Sequence, residues 1–197
     1  MSKRNRDSIR AVYRQATADE LRLGLSWYAD AHNQAGSIHP DISVGCGVIA
    51  AVSPGLRWDV NIEYARRLIL GLDTSGLGRV WPSNGYKAMR ILAGKSPEIV
   101  LFEGKRSGYK VRAFYRCLIN PHNWYDVCVD GHAYSIWAGE RIALQDTPNL
   151  DRNGLYDAIA VDYTRIADSL GILPMQLQSI CWQAWRRIIG VDKPGRH

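Results

Sequence analysis

Two short segments of the chain concentrate residue types that can do chemistry. The first runs Gly104-Lys105-Arg106-Ser107-Gly108-Tyr109-Lys110-Val111-Arg112. A glycine turn that opens a helix points backbone N–H groups and the positive end of the helix dipole at solvent, which suits phosphate. Lys105, Arg106, Lys110 and Arg112 add positive charge there, so Lys105, Arg106, Ser107, Gly108 and Arg112 are the phosphate-contacting candidates. The second segment is Val127-Cys128-Val129-Asp130-Gly131-His132. Its periodicity places Asp130 at a helix start, where a carboxylate either caps the helix or is held ready as an acid–base group. Asp126 is the alternative carboxylate if the register shifts. His132 follows the cap by two residues, and the five histidines show no metal-ligand spacing.

A third constellation lies near the C-terminus. Leu177, Cys181, Ala184 and Ile188 form one helical stripe, and Gln178, Trp182 and Trp185 form a second. Tryptophans so placed are ordinary core, or, with an amide beside them, Gln178 and Trp182 line a pocket for a flat, hydrogen-bonding ligand such as a base.

The chain of 197 residues is ordinary globular material, 46% hydrophobic and 22% charged. A formal net charge of +6 favours polyanionic partners, DNA among them. Cys46, Cys117, Cys128 and Cys181 form no CxxC pair, which predicts four reduced thiols in a reducing compartment. No apolar run reaches the roughly 18 residues of a membrane span, and a cytoplasmic monomer without metal or cofactor is expected.

The elements that must position these residues read as helices throughout. One long helix is expected from Asp7 to Asn33, then a buried one from Ile42 to Val52, whose small Gly45, Cys46 and Gly47 allow close packing on a neighbour. Helices follow at Asp59–Leu72, Pro82–Ala93, a short one opened by Ser96-Pro97-Glu98, Tyr109–Ile119 and Asp130–Ala138. Residues 140–154 are irregular, and Leu155–Leu170 and Pro174–Ile189 close the chain. Val127 to Val129 has strand character but is too short to build a sheet. The expectation is a single all-α domain, with residues 7–40 and 140–190 in one lobe and residues 41–139 in the other.

The order of these motifs resembles the helix-hairpin-helix (HhH-GPD) DNA glycosylase superfamily. Gly108-Tyr109-Lys110-Val111 looks like the end of the family hairpin, and Val129-Asp130-Gly131-His132 looks like its Val-Asp-x-His segment. The 20 residues from Lys110 to Asp130 are close to the family's spacing, and Val52-Ser53-Pro54-Gly55 with Trp58-Asp59-Val60-Asn61 resembles its early helix–turn–helix passage. The likeness covers Ile42 to Ala138. It implies a two-lobed helical domain with a cleft and an enzyme that cleaves the base–sugar bond of a damaged or modified base flipped out of DNA. Asp130 and Lys110 would be its catalytic residues. Asp130 would stabilise charge developing on the sugar. Lys110, with a neutral amine, would attack the sugar and add strand-nicking activity. Lys105, Arg106, Ser107, Gly108, Arg112 and His132 would hold DNA, and Gln178 and Trp182 would line the base pocket. The four-cysteine iron–sulfur loop of some members is missing, since only Cys181 lies in that region. Two other readings use the same residues: a non-catalytic DNA-binding protein on this scaffold, or an enzyme of modified-base metabolism with different chemistry.

Overall fold

The first helix breaks where the pattern reads as continuous. Instead of one element from Asp7 to Asn33, α1 spans Lys3–Arg14 and α2 spans Ala18–Ile38. Thr17 supplies the reason. Its hydroxyl accepts the Glu20 N–H at 3.2 Å, and the Glu20 carboxylate accepts the Thr17 N–H at 2.8 Å. This reciprocal capping box satisfies two of the orphan donors of a new helix N-terminus. The sequence Thr17-Ala18-Asp19-Glu20 carries its signature, hidden by an apolar stripe that keeps helical phase across the break.

The computed structural model describes residues 3–103 and 108–191. Among them are ten α-helices, one 3₁₀ turn at Leu144–Asp146 and no strand. After α2 come α3 (Ile42–Val52), α4 (Trp58–Ile69), α5 (Pro82–Leu92), α6 (Pro97–Phe102), α7 (Tyr109–Ile119), α8 (Gly131–Ala138), α9 (Leu155–Leu170) and α10 (Pro174–Ile188). The protein is all-α, as expected. No single helix among the described residues is long and apolar enough to cross a membrane.

The chain divides into two units, residues 1–28 with 122–197 and residues 29–121, the first boundary falling inside α2. These limits differ from the lobes expected at 7–40 with 140–190 and at 41–139. Residues 122–139 join the terminal unit because α8 packs on α1 and α10.

In the central unit α3 is the core. Every residue from Gly45 to Val52 is buried, and α4, α5, α6 and α7 all pack on it. Its glycines permit the approach. A Cβ on Gly45 would lie 2.6 Å from the Ala35 carbonyl oxygen, and one on Gly47 would lie 2.8 Å from the Pro97 ring. The His32 ring Nδ1 lies 2.8 Å from the Leu118 carbonyl, and the Ser43 and Tyr115 hydroxyls bond at 2.9 Å. These bonds tie α2 and α3 to α7.

In the terminal unit α1, α8, α9 and α10 pack on one another around Ile9, Ile136, Ile159, Ile166, Leu177 and Ile180, all essentially inaccessible. Full burial of such side chains contributes about 1.5–3 kcal/mol each before entropy is counted.

Candidate active site around Asp130

The segment leading to Asp130 is held by a tyrosine. The Tyr156 hydroxyl, from α9, donates to the Val127 carbonyl at 2.9 Å and accepts the Val129 N–H at 3.0 Å. Val127 to Val129 are buried. This apolar trio runs outside any helix or strand, and the one hydroxyl gives partners to the Val127 carbonyl and the Val129 N–H within it.

Asp130 then caps α8. Its backbone is extended, and Oδ1 accepts the Ala133 N–H at 2.8 Å. One oxygen thus orients the half-buried carboxylate, and the other, Oδ2, takes no hydrogen bond from a described residue. Tyr163 is wholly buried beneath it, its hydroxyl 3.5 Å from the Ala133 carbonyl. Burial above all, then the nearby Cys181 and Asp130, holds the Tyr163 phenol well above its ordinary range. It therefore keeps its proton.

The far end of α8 is anchored through charge. Asp162 of α9 is inaccessible to solvent, and its two oxygens take the Trp137 indole N–H at 3.0 Å and the Arg6 guanidinium at 3.2 Å. With Tyr156 at one end and Asp162 at the other, α8 is clamped to α9 and α1. That fixes the direction of the Asp130 carboxylate.

An aromatic group stands next along α8. The His132 ring meets Trp182 edge to face at 6.4 Å, and the Arg186 guanidinium lies 4.3 Å over the Trp182 ring. His132 and Trp182 are half-buried. Gln178, one turn earlier on α10, is buried, and its Oε1 accepts the Tyr28 hydroxyl at 3.1 Å. Trp185 is core; its indole N–H is buried and has no partner among the described residues. The second stripe of α10 thus divides: Trp182 is half-buried against His132, while Gln178 and Trp185 are interior.

The other candidates lie in the central unit. Lys105, Arg106 and Ser107 fall outside the described residues. Gly108 is left-handed, φ 66°, at the N-terminus of α7, and a Cβ there would stand 2.7 Å from the Leu101 carbonyl oxygen. Only glycine fits at that left-handed N-cap against the Leu101 carbonyl. Lys110 opens α7 and is exposed. Arg112 is engaged elsewhere: its Nε donates to Glu98 at 2.7 Å and its guanidinium lies 4.4 Å over Phe102. Glu98 also takes Arg116. Burial works to raise its carboxyl, but the two guanidiniums outweigh that and hold it below the ordinary range. Asp126, the alternative carboxylate, accepts from Asn123 in the loop after α7.

The sequence reading missed Tyr156, Asp162 and Arg186. Asp162 is detectable as a charge within the apolar face of Ile159, Tyr163 and Ile166, and Arg186 stands one turn from Trp182. Tyr156 carries no such signal. Among the described residues no three His, Cys, Asp or Glu side chains come together as a metal site, and the four cysteines are buried thiols. Burial pushes the Cys46 thiol up to about 12.

The match of the whole helical chain, from α1 to α10, decides its kinship. The chain belongs to a family of unknown function, DUF7178, which it matches over residues 1–188. Every residue of the Asp130 site, and every candidate from Lys105 to Arg112, therefore lies inside the stretch that matches the DUF7178 family. No curated protein and no solved structure matches the chain.

Proposed function

We propose that the protein is a DNA glycosylase-like enzyme of the helix-hairpin-helix kind, releasing a damaged or modified base from DNA, with Asp130 as the catalytic carboxylate. The observation that carries this reading is the half-engaged Asp130. Oδ1 is held by the Ala133 N–H and Oδ2 takes no hydrogen bond from a described residue. A carboxylate so fixed can stabilise the positive charge that develops on a sugar as its base departs, with little reorganisation. The left-handed Gly108 between α6 and α7 supports the hairpin resemblance, and the net charge of +6 suits a polyanion. His132, two residues after Asp130, and Trp182 packed against it are groups able to touch an extruded nucleotide.

Lys110 fits a phosphate contact better than a nucleophile. A neutral amine requires desolvation, and Lys110 is exposed. Water is the attacking group in this reading, and strand nicking is not part of it. The rival reading, a non-catalytic DNA-binding protein, draws on the same cap bond, since a capping aspartate needs no further role.

The test is incubation with duplexes carrying a panel of damaged and modified bases, with alkali-cleavable sites as readout. Wild type should release at least one base. Asp130→Asn should lose activity by a factor of about 10² or more while binding DNA as before, because Asn is nearly as good a cap. Full activity in Asp130→Asn removes that residue from the mechanism. Borohydride should trap no protein–DNA adduct; an adduct lost in Lys110→Ala would make Lys110 the nucleophile after all. Silence of wild type across the panel would leave the binding-protein reading.

A further inference from the structure

Three consecutive buried residues, Val127, Cys128 and Val129, lead into Asp130 outside any helix or strand. Buried backbone of this kind needs hydrogen-bond partners within the protein. For the Val127 carbonyl and the Val129 N–H that partner is one oxygen, the Tyr156 hydroxyl, which donates at 2.9 Å and accepts at 3.0 Å. The ring that carries it is buried and stands in the first turn of α9, where the Tyr156 N–H donates to the Leu150 carbonyl at 3.0 Å. A phenol is rigid beyond two side-chain torsions, so its oxygen sits as firmly as the helix that bears it.

Asp130 is thus tied from two directions. Its side chain is held where Oδ1 accepts the Ala133 N–H, and its main chain is held through the Val129 N–H one residue earlier. The other anchor of α8 acts at a distance. Asp162 takes the Trp137 indole N–H near the far end of the helix, which sets where that end lies. The Tyr156 hydroxyl works on the residue next to the carboxylate.

We infer that Tyr156 is the positioning residue for Asp130: by holding the Val127–Val129 segment, its hydroxyl keeps the carboxylate in the pose that base release uses. The inference rests on the base-release reading for its chemistry and on the two hydrogen bonds for its geometry. Tyr156 touches backbone and acts through Asp130. A fixed carboxylate stabilises developing charge best when it need not reorganise, and a misplacement of about 1 Å at a catalytic group can cost about 10²-fold in rate. Removing one hydroxyl while keeping the ring should cost less, about ten-fold in kcat. A tyrosine that only fills the core would lower stability and leave the rate of the folded enzyme unchanged.

The experiment compares the full chain as wild type, Tyr156→Phe and Ile159→Val, first by amide hydrogen exchange without DNA and then by base release. In wild type the Val129 amide, although outside any helix, should exchange as slowly as the interior amides of α9. In Tyr156→Phe the Ala133 amide, which reports the Asp130 cap, should exchange about ten-fold faster, with the far end of α8 unchanged. On a reactive duplex Tyr156→Phe should lower kcat about ten-fold with duplex affinity unchanged. It should lower kcat no further in an Asp130→Asn background, since its effect passes through that carboxylate. Ile159→Val loosens the same helix through packing alone and should keep the wild-type kcat. A Val129 amide that exchanges like an open loop amide overturns the inference, and that measurement needs no variant to fold. So does unchanged Ala133 exchange in Tyr156→Phe, an even rise along the whole of α8, or an equal loss of kcat in the Asp130→Asn background. Failure of the base-release reading shows separately, as a wild type silent on every duplex; Ala133 exchange, measured without substrate, still decides whether Tyr156 holds Asp130.

Discussion

The Asp162 carboxylate, closed off from solvent in the terminal unit, lies 3.2 Å from the Arg6 guanidinium, 156 residues away in the chain. Trp137 completes the group by donating its indole N–H to the other oxygen. Three helices, α1, α8 and α9, thus meet at one buried charge.

Arg6→Ala should therefore destabilise the protein by about 3 kcal/mol, because it leaves a buried carboxylate without its counter-charge. Urea denaturation measures this. Asp162→Asn should cost less, since an amide oxygen still accepts from Trp137. An Arg6→Met, Asp162→Leu pair should lose less than Arg6→Ala alone, the Trp137 indole N–H being the group left without its acceptor. An Arg6→Ala variant as stable as wild type would mean that the pair does not hold the helices together.

Gly108 and Gly94 separate two effects of adding a methyl group. Both are left-handed, with φ of 66° and 86°, but a Cβ on Gly108 meets the Leu101 oxygen at 2.7 Å while one on Gly94 meets nothing within 4 Å. Gly94→Ala should cost about 1–2 kcal/mol from the backbone conformation alone. Gly108→Ala should cost that and more, a fall in Tm of at least about 4 °C. Equal melting temperatures for the two variants would show that the Leu101 carbonyl moves aside from position 108 without cost.

Acid should weaken the junction of α1 and α2 through Glu20. A hydrogen bond from Arg187, 2.7 Å away, lowers its carboxyl below the ordinary 4.5; burial opposes this, and the Thr17 N–H adds to it. A depressed carboxyl contributes stability that is present above its unfolded pKa and lost as pH falls through the folded one. Glu20→Gln should therefore lower stability at neutral pH and flatten the acid limb below about pH 4.5. Parallel acid limbs for variant and wild type would remove Glu20 from the pH dependence.

The all-helical class was legible because apolar spacing of three and four recurs along the chain, and α3, α7, α9 and α10 begin and end within a residue of where that spacing places them. Asp130 at a helix start, the small residues that seat α3 and a glycine at the start of α7 were also legible, since each is local chemistry. The break at Thr17 was written in the sequence too, but periodicity spoke louder than the capping box. Tertiary structure alone decided the rest. Asp162 finds Arg6, Tyr156 finds the Val127–Val129 segment, and Gln178 finds Tyr28 across 150 residues of chain. It also committed Arg112 to Glu98 and left Trp81 and Tyr86 in the open. Periodicity states which face of a helix is apolar; it does not say which helix will cover that face. A polar group's partner follows from that covering, because desolvation forces the group to bond to whatever is brought near it.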